Sequence, residues 1–112
     1  MAKKDEGEGY EKGTLLDTSV LIQGRRGTTS IFSIIEFPLA IEECLVLYPD
    51  VLDFELAVRI AAELRKKGKP IGGIDTLIAS MSINRGYTLF TQDSHFAVVK
   101  GIIPEFAFEI EK

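Results

Sequence analysis

Four short apolar runs, set between stretches of helical patterning, constrain this 112-residue chain more than any other feature of its sequence. Thr14-Leu15-Leu16, Leu45 to Tyr48, Tyr87 to Thr91 and Phe106 to Ile110 are each too short for a helix, and Asp17, Pro49 and Gly86 stand at the ends of the first three. Continuous apolar runs of this length suit strands buried on both faces. The segments between them favour helices. Leu56, Ile60 and Leu64 recur every four residues after Asp53, which is expected to cap that helix, and Arg65, Lys66, Lys67 and Gly68 mark its end. Ile74, Leu77, Ile78 and Met81 form the i, i+3, i+4, i+7 stripe of a second helix closing near Gly86. Short strands alternating with helices predict a three-layer α/β/α domain around a central, mostly parallel sheet.

The remaining segments are less periodic. Val20-Leu21-Ile22 runs from the first strand into a turn or short helix that ends at Gln23-Gly24, and Gly24-Arg25-Arg26-Gly27 is a basic connection. Thr28, Thr29 or Ser30 can cap the apolar stretch Ile31 to Ala40, which Pro38 limits. Residues 1–13 carry charge and glycine without apolar periodicity and are expected to be a disordered tail or an expression remnant, leaving 14–112 as one domain. That charged start lacks the greasy stretch of a signal peptide, and no run is long enough to span a membrane, so a cytoplasmic location is expected. A single cysteine, Cys44, excludes an intrachain disulfide and a zinc finger, and is expected to be a small buried apolar residue.

The acids carry the chemistry. Ligand sites of open parallel sheets lie at the carboxyl ends of the strands, and Asp17 ends the first strand, Asp93 follows Tyr87 to Thr91, and Asp75 opens a helix. Glu36 joins them if its segment crosses the same edge; an acid inside the run Ile31 to Phe37 would be costly to bury unpaired, which favours a metal or an ion pair. Clustered carboxylates repel unless a cation sits among them, and an oxygen-only set suits magnesium or manganese. Such ions can hold a phosphodiester, make water nucleophilic and stabilise the departing oxygen. The net charge of −4 is the wrong sign for gripping nucleic acid by bulk attraction, but with four of the 17 acids gathered in one site the rest of the chain is neutral.

Other acid-led α/β folds fit poorly. A haloacid-dehalogenase-like phosphatase wants an aspartate two residues after its nucleophile, where Ser19 stands, and a response-regulator receiver wants acids ahead of Asp17 and a lysine after a late strand, where Gln92-Asp93 stand.

Asp17 in LLDTSVLI, Glu36 in IFSIIEFP, Asp75 in IGGIDTLIAS and Asp93 in LFTQDSHF together resemble the four-acid pattern of PIN domains, particularly VapC-type toxins and their archaeal relatives. The match covers nearly all of Thr14 to Lys112, and IDTLIAS with TQDSHF, 18 residues apart, is its most specific part. The resemblance implies a magnesium- or manganese-dependent endoribonuclease, usually a homodimer, silenced by an antitoxin that places a basic side chain in the pocket. It implies Asp17, Glu36 and Asp75 as principal metal-site acids, Asp93 completing the site or positioning the water, and Thr18 or Thr91 orienting it. Intervals of 19 and 39 residues between the first three acids are compact for the family and imply abbreviated helices.

Arg25 and Arg26 are candidates to contact RNA phosphates, whereas Arg65, Lys66, Lys67 and Lys69 are the cations a helix C-terminus attracts through its dipole. His95, the single histidine, is expected to be a turn residue beside the pocket, and Phe96, Phe106 and Phe108 to be core. The rival reading is a non-catalytic PIN-like module that binds RNA or a protein partner and keeps the acids as remnants, its mark being Glu36 salt-bridged to an arginine.

Overall fold

A computed structural model describes residues 13–111; the expected tail therefore lies outside the described residues, Gly13 apart, and so does Lys112. Five strands form one all-parallel sheet in the order β3-β2-β1-β4-β5. They are β1 (Thr14–Leu16), β2 (Thr28–Ser30), β3 (Leu45–Leu47), β4 (Thr88–Thr91) and β5 (Ala107–Ile110). The helices are α1 (Thr18–Ile22), α2 (Ile31–Glu36), α3 (Val51–Lys66), α4 (Gly73–Arg85) and α5 (Ala97–Lys100), with 3-10 turns at Pro38–Glu43 and Ser94–Phe96.

Neighbouring residues of a strand point to opposite faces, and β1 shows what that does here. Leu15 belongs to a core with Ile60, Leu64, Ile78, Met81, Leu89, Phe96, Val99 and Phe106, under α3, α4 and α5. Leu16 belongs to a second core with Val20, Leu21, Ile34, Ala40 and Cys44, under α1 and α2. The sheet is thus covered on both faces, as its apolar strands require. Cys44 is buried and free. Phe96 and Phe106 are core as expected, and half-buried Phe108 stacks on Phe106 with centroids 5.4 Å apart. Among the described residues no helix is long and apolar enough to cross a membrane.

Two local expectations are corrected. Thr28–Ser30 is a central strand as well as the lead-in to α2: Thr29 Oγ1 donates to the Leu16 carbonyl at 2.6 Å, and Ser30 caps α2 by accepting from the Ser33 amide at 3.1 Å. The cap of α3 is Asp50, not Asp53, which sits three residues in and completes a reciprocal capping box: Asp50 Oδ1 accepts from Asp53 N at 3.1 Å, and Asp53 Oδ2 from Asp50 N at 2.9 Å.

Helices α3 and α4 make an antiparallel pair. Asp53, fully buried at the start of α3, accepts from Asn84 Nδ2 at 2.9 Å and Arg85 Nη1 at 3.0 Å, both at the end of α4. Burial pushes the Asp53 carboxyl up, but Arg85, the Asp50 amide and Asn84 together outweigh it and hold its pKa below the ordinary value. Gly86, with φ of 69°, then ends α4 in the left-handed conformation that glycine adopts without strain.

Candidate active site

The carboxyl edge of the sheet gathers three of the four predicted acids. Asp17 follows β1 and occupies the N-cap position of α1, with its amide donating to the Phe90 carbonyl at 2.9 Å and its carbonyl accepting from Val20 and Leu21. The residue is 8% exposed. Asp17 Oδ2 accepts from Thr91 Oγ1 at 2.7 Å and from Ser19 Oγ at 3.2 Å. Thr91 also accepts from the Asp93 amide at 3.0 Å, and Ser19 from the Gln92 amide at 2.9 Å. The two hydroxyls therefore tie the end of β1 to the turn after β4.

Asp75, in the first turn of α4, and Asp93, after β4, meet across His95. Its Nε2 lies 2.9 Å from Asp75 Oδ2 and its Nδ1 2.5 Å from Asp93 Oδ1. Burial pushes the imidazole pKa down, but Asp93 and then Asp75 outweigh it, so the net shift is upward and favours the imidazolium. The Asp75 pKa is raised: burial is the largest cause, the charges of Asp17 and Asp93 push the same way, and His95 offsets part of it. Asp75 thus senses the charge of both Asp17 and Asp93.

Glu36 lies at the rim. The expectation that it is buried is overturned: α2 ends at Glu36, ahead of Pro38, and the side chain is exposed. It accepts from Thr18 Oγ1 at 2.5 Å, which joins it to the residue after Asp17. With Phe32, Ile35 and Ile74 it lines a depression of about 290 Å³, so it faces the start of α4 just ahead of Asp75. No ion pair links it to an arginine among the described residues.

Arg25 and Arg26 are committed elsewhere. Arg25 pairs with Glu111 and lies over the Phe90 ring, while Arg26 pairs with Glu43 at 2.9 Å and donates to the carbonyls of Leu21 and Arg25. Sequence reasoning gave no place to Ser19 and understated His95; the only signals for them were their positions within DTSVLI and TQDSHF.

In kind, the donors suit a hard divalent cation. Asp17 Oδ1, Asp75 Oδ1 and Asp93 Oδ2 each lack a hydrogen-bond donor among the described residues, and carboxylate oxygens are the preferred ligands of magnesium and manganese. In placement, no three His, Cys, Asp or Glu side chains among the described residues stand ready to close on one ion.

No protein-family profile matches the sequence, and no curated protein matches it. Solved structures do match. A DNA-bound VapBC from Salmonella typhimurium contains a chain 22% identical, with a TM-score of 0.69 over 87% of this chain and 96% of that one. VapBC-5 from Mycobacterium tuberculosis, a toxin-antitoxin system, is 22% identical with a TM-score of 0.71 over 89% of this chain and 98% of that one. VapBC2 from Rickettsia felis, bound to a DNA fragment from its promoter, is 16% identical with a TM-score of 0.71 over 88% and 98%. The fold is that of a VapC-type PIN domain. In that PIN fold the acids predicted from sequence fall at the carboxyl edge of the sheet and its rim, and the two helices between Asp17 and Glu36 are short, with five and six residues.

Proposed function

We propose that the chain is a divalent-metal-dependent endoribonuclease, the toxin of a VapBC-type pair, acting in the cytoplasm as a homodimer and restrained by an antitoxin. The observation that carries this reading is the meeting of Asp17, Asp75 and Asp93, from three separate elements, each with a carboxylate oxygen that has no donor among the described residues. A structural ion pair would use those oxygens, as Asp53 does.

Asp17, Asp75 and Asp93 would hold magnesium or manganese, with Glu36 reaching in from the rim. When bound, the ion would supply positive charge to the phosphodiester and to the oxygen leaving it, and would acidify a water nucleophile. Hydrolysis breaks the P–O bond to the departing strand, places the water oxygen on phosphorus, and leaves a proton for the departing oxygen. Thr91 and Ser19 fix the Asp17 carboxylate, so its free oxygen keeps one direction. His95, whose Nε2 lies 2.9 Å from Asp75 Oδ2, would hold a proton at that nitrogen for the reaction. Thr18 orients Glu36.

A second reading, a non-catalytic module that binds RNA or a protein partner, is favoured by the His95 bridge, which offsets part of the charge of two of the acids without a metal. Manganese calorimetry on the wild type and on the four acid-to-amide variants separates the two, together with cleavage of an RNA oligonucleotide. Metal binding lost in several variants and cleavage lost in Asp75→Asn support the nuclease. Absence of binding and cleavage in the wild type overturns it in favour of the module.

A further inference from the structure

An acidic pocket that cuts an anionic polymer needs positive charge nearby to hold the strand, and few described cations are uncommitted. Arg25, Arg26 and Arg85 hold Glu111, Glu43 and Asp53, and Lys100 Nζ donates to the carbonyls of Phe106 at 2.7 Å and Pro104 at 3.3 Å. Lys66 sits 3.5 Å from Glu63. Arg59, Arg65, Lys67 and Lys69 remain, all on the C-terminal half of α3 or just beyond it, and none of their side chains forms an ion pair or hydrogen bond with another described residue.

Three of the four line a groove. Lys67 and Lys69 face Ala97, Val98 and Gly101 across a depression of about 320 Å³. Arg59 and Lys67 face Gly101, Ile102 and Ile103 across a second of about 340 Å³. The two share Lys67 and Gly101 and are read together as one channel, with Arg59, Lys67, Lys69, Leu64 and the Lys66-paired Glu63 on its α3 wall and small or aliphatic side chains on its other wall. Its lining is tied to the acids by short stretches of chain: Ala97 follows His95 by two residues, and Lys69 precedes Asp75 by six, a span of at most about 21 Å when extended.

We infer that this channel seats the single-stranded RNA flanking the cleaved phosphate, its phosphates along Arg59, Lys67 and Lys69 and its sugars and bases over Val98, Ile102 and Ile103. The inference rests on the ribonuclease reading for its substrate and adds where that substrate lies. The lining holds no aromatic ring on which bases stack, so the channel grips backbone rather than sequence. The C-terminal dipole of α3 explains why lysines are tolerated at its end, but it does not account for Arg59, two turns earlier, or Lys69, beyond the helix.

The test is binding of a fluorescein-labelled single-stranded RNA by anisotropy, in EDTA to prevent cleavage and across a salt series. It compares the wild type with Lys67→Ala/Lys69→Ala and with Arg59→Ala/Lys67→Ala/Lys69→Ala; thermal melts confirm that these exposed substitutions leave the fold intact. Every phosphate that no longer meets a cation lowers the slope of log K against log salt by about 0.7 for single strands, so the triple variant is expected to lose about 2 units of slope and at least tenfold in affinity at low salt. Unchanged slope and affinity in the triple variant overturn the channel even if the wild type cleaves RNA. The reverse result, wild-type binding through these residues without manganese-dependent cleavage, overturns the nuclease reading and leaves the channel as an RNA surface. A wild type that ignores RNA but binds polyglutamate through the same cations overturns the assignment of RNA as the occupant.

Discussion

Asp53 and Asp75 sit at opposite ends of the same antiparallel helix pair and have opposite fates. Asp53 is fully buried, accepts from the Asp50 amide, Asn84 and Arg85, and its pKa is held down. Asp75 is partly exposed, shares one oxygen with His95, has no donor to the other among the described residues, and has its pKa raised by burial and by two neighbouring aspartates. Lowering a carboxyl pKa on folding means the native state gains from the charge, whereas raising it means the native state tolerates the charge at a cost. One acid holds the hairpin together, and the other keeps the unsatisfied character that a binding site needs.

The largest expected effect separates the two functionally. Asp75→Asn should lower manganese-dependent RNA cleavage by about a thousandfold, as loss of a preorganised charge at a reacting centre does, while Arg85→Ala leaves cleavage by the folded protein within a few-fold. Cleavage by Asp75→Asn at the wild-type rate would erase the distinction. Stability reverses the order: Arg85→Ala leaves a buried, unpaired carboxylate and should cost about 3 kcal/mol in urea unfolding, and Asp75→Asn should unfold no earlier than the wild type.

Thr91→Val probes whether Asp17 belongs with Asp75. It keeps the shape and removes the donor to Asp17 Oδ2, and a drop in manganese affinity or cleavage of about tenfold is expected. An effect on stability alone would place Asp17 with the structural acids. The smallest effect is in pH. Because the Asp53 pKa is depressed on folding, its contribution is present above the ordinary value of 3.8 and is lost as pH falls through the lower folded value. The stability gap between wild type and Asp53→Asn should therefore narrow in acid, seen by urea midpoints from pH 6 to 2.5; a gap that widens would contradict the network.

The sheet, its parallel sense and the positions of Asp17, Asp75 and Asp93 were legible because each depends on local pattern: an apolar run and what ends it. Strand β2 was not, since Thr28, Thr29 and Ser30 look like turn residues and become strand only because their hydroxyls bond within the fold. Glu36 was misjudged as buried because an apolar run says nothing of which face of a short helix meets the sheet. The bridge at His95 needed a partner 20 residues away, and no periodicity reports such a meeting. The uncommitted cations of α3 were visible in the sequence, but that their side chains lack partners among the described residues emerged only in the fold, where Arg25 and Arg26 found theirs.

The backbone of Asp17 is locked between a ladder hydrogen bond from its amide and the first turn of α1 from its carbonyl, whereas the Asp93 and His95 side chains hold chiefly each other and Asp75. The pocket accordingly has an anvil and a jaw. Whatever enters must conform to the first and can displace the second, so adaptation to different guests is confined to one short turn, and the sheet itself never has to yield.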